Sequence, residues 1–493
     1  MKKNLILVIY ILFALILLFV LGSSLSGPQC NLIPGQVIFL SGIITFIVLI
    51  VSYITLNKIK VKYSVISGLI LFYVVFLFVL GCIARNNPSS LHDYGVVYRS
   101  AEALARGSSY DEIYFAEYSN NIMVLIMLGK IVRLSELLGI ADSYYLVLGI
   151  GTLITTTAIV ASCYLVKTTT NSMTACFINV VLFMSMLPVW VNNQTLYTDH
   201  MTFSGVVVSL ALLVYAFRSF KTKRLILILL SSIILGISIM IKITCIIPFI
   251  AGIICLIVLG DKNKIRDKSY YLSGIIWLLL MILTIVGCQR WKSGYTVYEM
   301  SKNHEDPVIA WIGLGLVGNG SYADNEGYVD GLHQLSTKEL KEEYAKDYIS
   351  QHISEVMNLN HYIDKVRCNY ATGYYGADDY IYVPEVGYEN HILYKICHPF
   401  GTYYWRCSQL TFSYAMSIYI IYLLGSIKVI IDIIKGRKIS GCMLLCDVAF
   451  VGYFMFLIIW EANNRQLYNS VPLMLAGLTI HMYHLLKKEA FQH

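Results

Sequence analysis

The chain has 493 residues, of which 57% are hydrophobic and only 14% charged, too few charges to cover the surface of a soluble protein of this length. Its formal net charge of +7 lies in short basic segments between apolar runs, a distribution that excludes a nucleic-acid-binding surface. What remains is a polytopic membrane protein, because each apolar run of about eighteen residues or more can cross about 30 Å of hydrocarbon as a helix.

In chain order, spans are expected near 4–22, 36–56 and 63–84. The first is too long and uninterrupted for a cleaved signal, no small-residue cleavage site follows it, and it is read as retained. A polar stretch comes next: "NNPSSLHDYGVVYRSAEALARGSSYDEIYFAEYSNN" at 86–121. The run 122–139, "IMVLIMLGKIVRLSELLG", is long enough to span, yet Lys130, Arg133 and Glu136 make one polar stripe beside an apolar face. Each would be costly at the bilayer centre, so an interfacial helix lying along the membrane is expected.

Six further spans are expected near 144–166, 172–190, 199–217, 224–241, 243–260 and 270–289, and three more near 408–430, 439–460 and 467–486. The basic loops "NKIKVK", "FRSFKTKR", "GDKNKIRDK" and "IKGRK" place both termini in the cytoplasm by the positive-inside rule. The expected fold is therefore an all-α polytopic membrane protein of about twelve transmembrane helices. Its organisation reads as three N-terminal spans (1–84), a first large outer loop with interfacial helices (85–143), membrane core spans (144–289), a mixed extracytoplasmic loop domain (290–407) and three C-terminal spans (408–493).

Within 290–407, Ser336 and Glu339 form a capping box ahead of a helix beginning "KELKEEYAKDY". The Tyr-, Gly- and Asp-rich flanks read as loops or short strands. Cys368, Cys397 and Cys407 share this outer loop, where a disulfide is permitted and its pairing stays open.

Candidate chemistry gathers at the outer face. Asp93 lies just beyond the third span; a shielded carboxylate beside a low-dielectric slab can take a proton from a hydroxyl, whereas a solvated one does nothing. Arg99, Tyr114, Asn120 and Asn121 share its polar stretch as possible substrate contacts. Lys242 interrupts an apolar run that crosses out and returns with almost no loop. Either it snorkels to phospholipid headgroups or it holds the phosphate of a lipid substrate. In "WEANNRQLYNSVPLM", Glu461 and Arg465 are four apart, so a helix would pair them, and the planar fork of Arg465 suits phosphoryl oxygens. Tyr197, Asp199 and His200 form another outward polar cluster, in which Asp199 is either a helix cap or a substrate contact.

In the large loop His304, Glu305, Asp306, Asp324, Glu326 and Asp330 could supply ligands to a divalent metal, though their spacing matches no calcium loop. Trp311, Tyr322 and Tyr328 could stack on a sugar or form an interfacial belt. With no phosphate-binding glycine loop, no metal-binding His/Cys pair at suitable spacing and no nucleophile elbow, soluble nucleotide-driven chemistry is unsupported.

This layout resembles the glycosyltransferase C superfamily, polytopic enzymes such as protein O-mannosyltransferases and the aminoarabinose transferase acting on lipid A. The residues carrying the resemblance are Asp93, the interfacial helix after it, Lys242 at a turn, and "WEANNRQL". "HDYGVVYRSAEALARG", "MIKIT", "AWIGLGL" and "WEANNRQLYNSVPLM" are similar to a group of bacterial membrane proteins described as mannosyltransferase-type enzymes. The resemblance implies a bacterial cytoplasmic membrane, a polyprenyl-phosphate sugar donor, a cell-envelope acceptor, Asp93 as catalytic base, and Lys242 and Arg465 on the carrier phosphate. Two departures stand out: protein mannosyltransferases often show an adjacent Asp-Glu pair where Asp93 is followed by Tyr94, and two spans precede the helix that looks like the superfamily's first.

The chemistry asks for little more. A phosphate leaving group is a weak base, so its departure needs charge stabilisation more than a general acid. The expectation is an inverting transfer with Asp93, Lys242 and Arg465 in one pocket open to lipid. A flippase or transporter for lipid-linked saccharide, which should show polar or broken helices at mid-membrane, and a polysaccharide polymerase are the rivals.

Overall fold

The computed structural model describes residues 2–26, 34–85, 92–219, 221–259, 268–378 and 391–487. Three long helices open the chain, α1 (Lys2–Ser24), α2 (Gly35–Leu56) and α3 (Tyr63–Ala84). Helices α4 (His92–Arg106), α5 (Glu112–Glu117) and α6 (Ile122–Leu137) follow, then α7 (Ser143–Thr170), α8 (Met173–Ser185), α9 (Leu187–Asn192), α10 (Thr198–Met201), α11 (Gly205–Phe217), α12 (Lys221–Ile241), α13 (Ile246–Leu259) and α14 (Lys268–Lys292). The long loop holds α15 (Thr296–His304), α16 (Val308–Gly315), α17 (Glu326–His333), α18 (Lys338–His352), α19 (Leu359–Tyr370) and α20 (Ile392–Cys397). Helices α21 (Tyr404–Ile434), α22 (Gly441–Ile459) and α23 (Val471–Leu486) close the bundle.

Nine helices among the described residues are long and apolar enough to cross a membrane: 3–24, 35–56, 63–84, 143–170, 198–217, 222–241, 272–292, 404–434 and 441–459. Three expected spans are shorter as helices. The one expected at 172–190 stops at Ser185 because Pro188 follows, removing a donor and clashing with the preceding turn. The one expected at 243–260 is shortened by a single 3-10 turn, Ile243–Cys245, before α13. The one expected at 467–486 begins with 3-10 geometry over Asn464–Ser470 and becomes α-helical at Val471.

Side-chain caps set several boundaries. Asp142 accepts from the Tyr144 amide at 3.0 Å to start α7, and Ser172 accepts from the Ala175 amide at 3.1 Å to start α8. Close approach marks the packing: a Cβ on Gly81 would lie 2.4 Å from a Leu148 methyl, so a larger residue there would have to move Leu148 where α3 and α7 meet. Phe13 of α1 sits edge-on to Tyr422 and Phe450, tying α1 to α21 and α22.

The segment expected as an interfacial helix forms α6. Lys130, Arg133 and Glu136 lie exposed along it, with Arg133 3.2 Å from Glu136, while its apolar face is buried against α4. The loop domain departs from its expectation: among the described residues it holds helices and turns and no strand. Gly318 and Gly320, at φ 58 and 77, reverse the chain between short helices where a strand reading needed alternation. The cap of α18 is Thr337, whose side chain accepts from the Leu340 amide, one residue later than the Ser336 box requires. Cys397 and Cys407 are thiols.

Charges are not confined to the loop end of the bundle. Near the other ends of their helices, His481 lies 2.9 Å from Asp447 and His484 lies 3.0 Å from Asp432, all four buried. Pairing offsets part of the large desolvation cost that either partner alone would carry.

Candidate active site at the loop end of the bundle

The polar loop 192–200 is almost wholly buried, so its side chains must satisfy their own surroundings. Asn192 donates to the Pro188 carbonyl at 3.0 Å, Thr195 to the Asn192 carbonyl at 3.2 Å, and Thr202 to the Thr198 carbonyl at 2.8 Å. This scaffold presents Asp199 from α10, 1% exposed. Its carboxylate is divided between two cations. Oδ1 accepts from the Lys242 ammonium, and Oδ2 lies 3.4 Å from Arg465 Nε. Asp199 is therefore a counter-ion and not a helix cap; the cap position of α10 is Tyr197.

Lys242 has extended backbone, φ −146 and ψ 113, where α12 ends. The chain turns there: α12 packs on α11 and α14, and α13 packs on α22. At 9% exposure the Lys242 side chain is buried, which overturns its reading as a snorkel to headgroups. Arg465 is placed by a different device. α22 stops at Ile459 and Trp460 is extended, so the helical four-residue pairing expected for Glu461 and Arg465 does not arise. Asn463 caps the next turn by accepting from the Arg465 amide at 3.1 Å, and Asn464 accepts from the Gly376 amide at 2.7 Å. Gly376 has φ +77, and a Cβ there would sit 2.8 Å from the Arg465 side chain. The guanidinium rests 5.6 Å from the Tyr197 ring centre.

Asp93, half-buried in the first turn of α4, faces the hydroxyls of Tyr114 and Tyr197. Tyr197 donates to Asn121 Oδ1 at 3.0 Å, and Asn121 donates to the Tyr114 hydroxyl at 2.8 Å. Burial, then Tyr197 and Asp93, push the Tyr114 hydroxyl far above its ordinary value, keeping it protonated.

Asp93, Lys242 and Arg465 line one cavity of about 350 Å³. Two long inter-span segments close over it. The Asp306 amide donates to the Glu117 carbonyl at 3.0 Å. Lys341 donates to Asp306 Oδ1 at 2.7 Å, and His333 Nε2 lies 3.2 Å from both Asp306 Oδ2 and the Tyr118 hydroxyl. Lys338 donates to Glu305 at 2.6 Å, and Lys292 to the Ser119 carbonyl at 2.8 Å. The loop domain also docks on the end of α22. Ala462 N–H donates to the Gly320 carbonyl at 2.7 Å, and a Cβ on Gly315 would lie 2.5 Å from the carbonyl oxygens of Ile459 and Trp460. Lys365, fully buried, donates to the Gly315 carbonyl; burial depresses its ammonium to about 7, with Glu461 opposing.

The lining is mixed: Ile241, Ile243, Val308 and Phe456 stand in it beside the charged groups, with Ile243 58% and Val308 66% exposed. Such a lining fits a ligand with a greasy end and a charged end.

Residues 1–484 match the family model described as conserved hypothetical integral membrane protein. The chain belongs to that family. No curated protein and no solved structure matches it. In this integral membrane protein the cavity gathers most of the residues singled out by sequence: Asp93, Asn120, Asn121, Lys242, Trp311, Glu461 and Arg465 all line it.

Other candidates lie outside its lining, Tyr322, Tyr328, Glu326 and Asp330 among them. Asp199 stands behind the cations and Tyr114 behind Asn121. Arg99 is exposed on α4, and His304 is exposed at the end of α15, where its carbonyl accepts from Lys341 at 2.9 Å. Among the described residues no three His, Cys, Asp or Glu side chains gather as a metal site would require. Asp306, Glu305 and Asp324 are engaged by Lys341, Lys338 and the Asn319 amide. Glu117, Tyr118, Lys338 and Gln466 also line the cavity and escaped the sequence reading. Glu117 and Tyr118 adjoin the quoted asparagines, whereas Lys338 opens a charged run that reads as a solvated helix.

Proposed function

We propose that this protein is a membrane glycosyltransferase. It moves a sugar from a polyprenyl-phosphate carrier to an acceptor hydroxyl at the outer face of a bacterial cytoplasmic membrane. In this reading the chain crosses about twelve times with both termini cytoplasmic, α6 lies along the outer interface, and the cavity opens outward. The observation that carries the reading is that an acid and two cations from distant parts of the chain line one cavity together with the exposed apolar side chains of Ile243 and Val308.

The acceptor hydroxyl gives its proton to Asp93 while its oxygen attacks the anomeric carbon. The bond from that carbon to the phosphate oxygen breaks, its electron pair leaves on the phosphate, and the configuration inverts. Lys242 and Arg465 neutralise the charge that grows on the leaving phosphate in a site of low dielectric, where such help is strongest. The prenyl chain runs over Ile243 and Val308 into the lipid. Trp311, Asn120 and Asn121 contact the sugars.

The test is transfer of radiolabelled sugar from polyprenyl-phosphate donors to cell-envelope fractions by purified protein. Asp93→Asn should reduce transfer by a factor of roughly 10²–10⁴, the usual contribution of a positioned base, and leave carrier binding intact. Near-normal turnover in that variant refutes the role of Asp93. The buried Asp447–His481 and Asp432–His484 pairs favour a second reading, a proton-coupled carrier for lipid-linked saccharide. Movement of the labelled lipid across liposome membranes with no covalent transfer would select it.

A further inference from the structure

Two cations that meet a ligand phosphate normally arrive with charge to spare. Here they do not. Asp199 is 1% exposed and each of its carboxylate oxygens is engaged by one of the pair, Oδ1 by Lys242 and Oδ2 by Arg465 at 3.4 Å. Thr198 donates to Oδ2 at 3.3 Å, which holds the carboxylate in place. Asp93 and Glu461 line the same cavity. Glu461 is 8% exposed and accepts from Asn463 at 3.4 Å. Asp199 thus answers one of the two positive charges of Lys242 and Arg465 before any ligand arrives.

We propose that Asp199 is a positioning residue that sets which lipid phosphate the site accepts: a singly charged phosphodiester, and not a diphosphate. This rests on the functional reading above and deepens it. A carboxylate between two cations fixes their separation before any ligand arrives, which lowers the cost of ordering them. It also spends half their charge. One further negative charge can share the two cations with Asp199, whereas each additional one meets Asp199, Asp93 and Glu461 at short range in a weakly screened site. The same residue therefore organises the site and excludes polyanions. The discrimination separates a transferase using phosphate-linked sugars from a polymerase using diphosphate-linked ones.

The test uses full-length protein in nanodiscs and two probes with the same tail and the same hexose: a geranylgeranyl phosphodiester of a simple hexose, and the corresponding geranylgeranyl diphosphate-linked hexose. Wild type should bind the phosphodiester roughly tenfold or more tightly, the scale of one unfavourable charge contact. Asp199→Asn should shift the ratio toward the diphosphate by about the same factor. Gln466→Lys adds a cation to the cavity lining without touching the buried pair and should shift the ratio the same way, so the idea stays testable if Asp199→Asn folds poorly. Asp199→Glu should retain the wild-type preference. Equal loss of both probes in a folded Asp199→Asn protein marks a merely structural residue and overturns the assignment. So does a wild type that prefers the diphosphate. If wild type binds neither probe, the functional reading fails as well.

Discussion

Asp199 and Lys242 are 43 positions apart, and their contact is the kind a sequence hides. Asp93, Lys242 and Arg465 were legible because each is an ionisable residue placed where an apolar chain meets polar surroundings. What Asp199 does was not legible, because a carboxylate beginning a helical turn reads as a cap until its partners are seen. The Glu461–Arg465 spacing misled for a related reason: the four-residue rule holds only inside a helix, and α22 ends two residues before Glu461. Replacing Lys242 by Met leaves Asp199 buried with one cation fewer. Removing one partner of a buried pair costs about 3–5 kcal/mol, measurable as a lowered unfolding midpoint in detergent or bicelles. Adding Asp199→Asn to that variant should recover part of the loss, and strict additivity of the two losses would show that they do not interact.

At the scale of elements, the spans were the legible part because hydrocarbon demands unbroken apolar helices and leaves few alternatives. The loop domain lacked that constraint, so its glycine-rich flanks looked like strands and folded as short helices. Its closure over the cavity depends on side chains far apart in sequence. His333 of α17, Asp306 before α16 and Tyr118 after α5 form one such joint, with Lys341 and Glu117 facing the same point. The hydrogen bond to Asp306 raises the His333 imidazole above its usual value, with burial opposing. A raised folded value means the protonated form is the stabilised one. The joint is therefore tightest below the unfolded value of about 6.5 and loosens as pH rises through the folded one. The protection of amides 117–121 against hydrogen exchange, corrected for the intrinsic rise of exchange with pH, should fall across that window in wild type. His333→Gln should abolish the pH dependence, and persistence of the same profile in the variant would assign it to another group.

Across the molecule, among the described residues, the buried acidic and basic side chains of the spans collect at two levels. One is the cavity where the long inter-span segments meet the ends of α12 and α22; the other is the pair of Asp–His contacts on α21, α22 and α23. The second level was invisible in the sequence because Asp432, Asp447, His481 and His484 stand singly in apolar surroundings and only helix packing pairs them. For the first level the proposal is that a lipid phosphate enters between Lys242 and Arg465 with its tail over Ile243. A polyprenyl phosphodiester bearing a photoreactive group beside the phosphate tests it most directly, by mass-spectrometric mapping of the adducts in membranes. The label should fall on residues 239–244 and 460–466 and be competed away by unlabelled phosphodiester. Label spread over the lipid-facing sides of α1, α2 and α3, unaffected by competitor, would contradict the account.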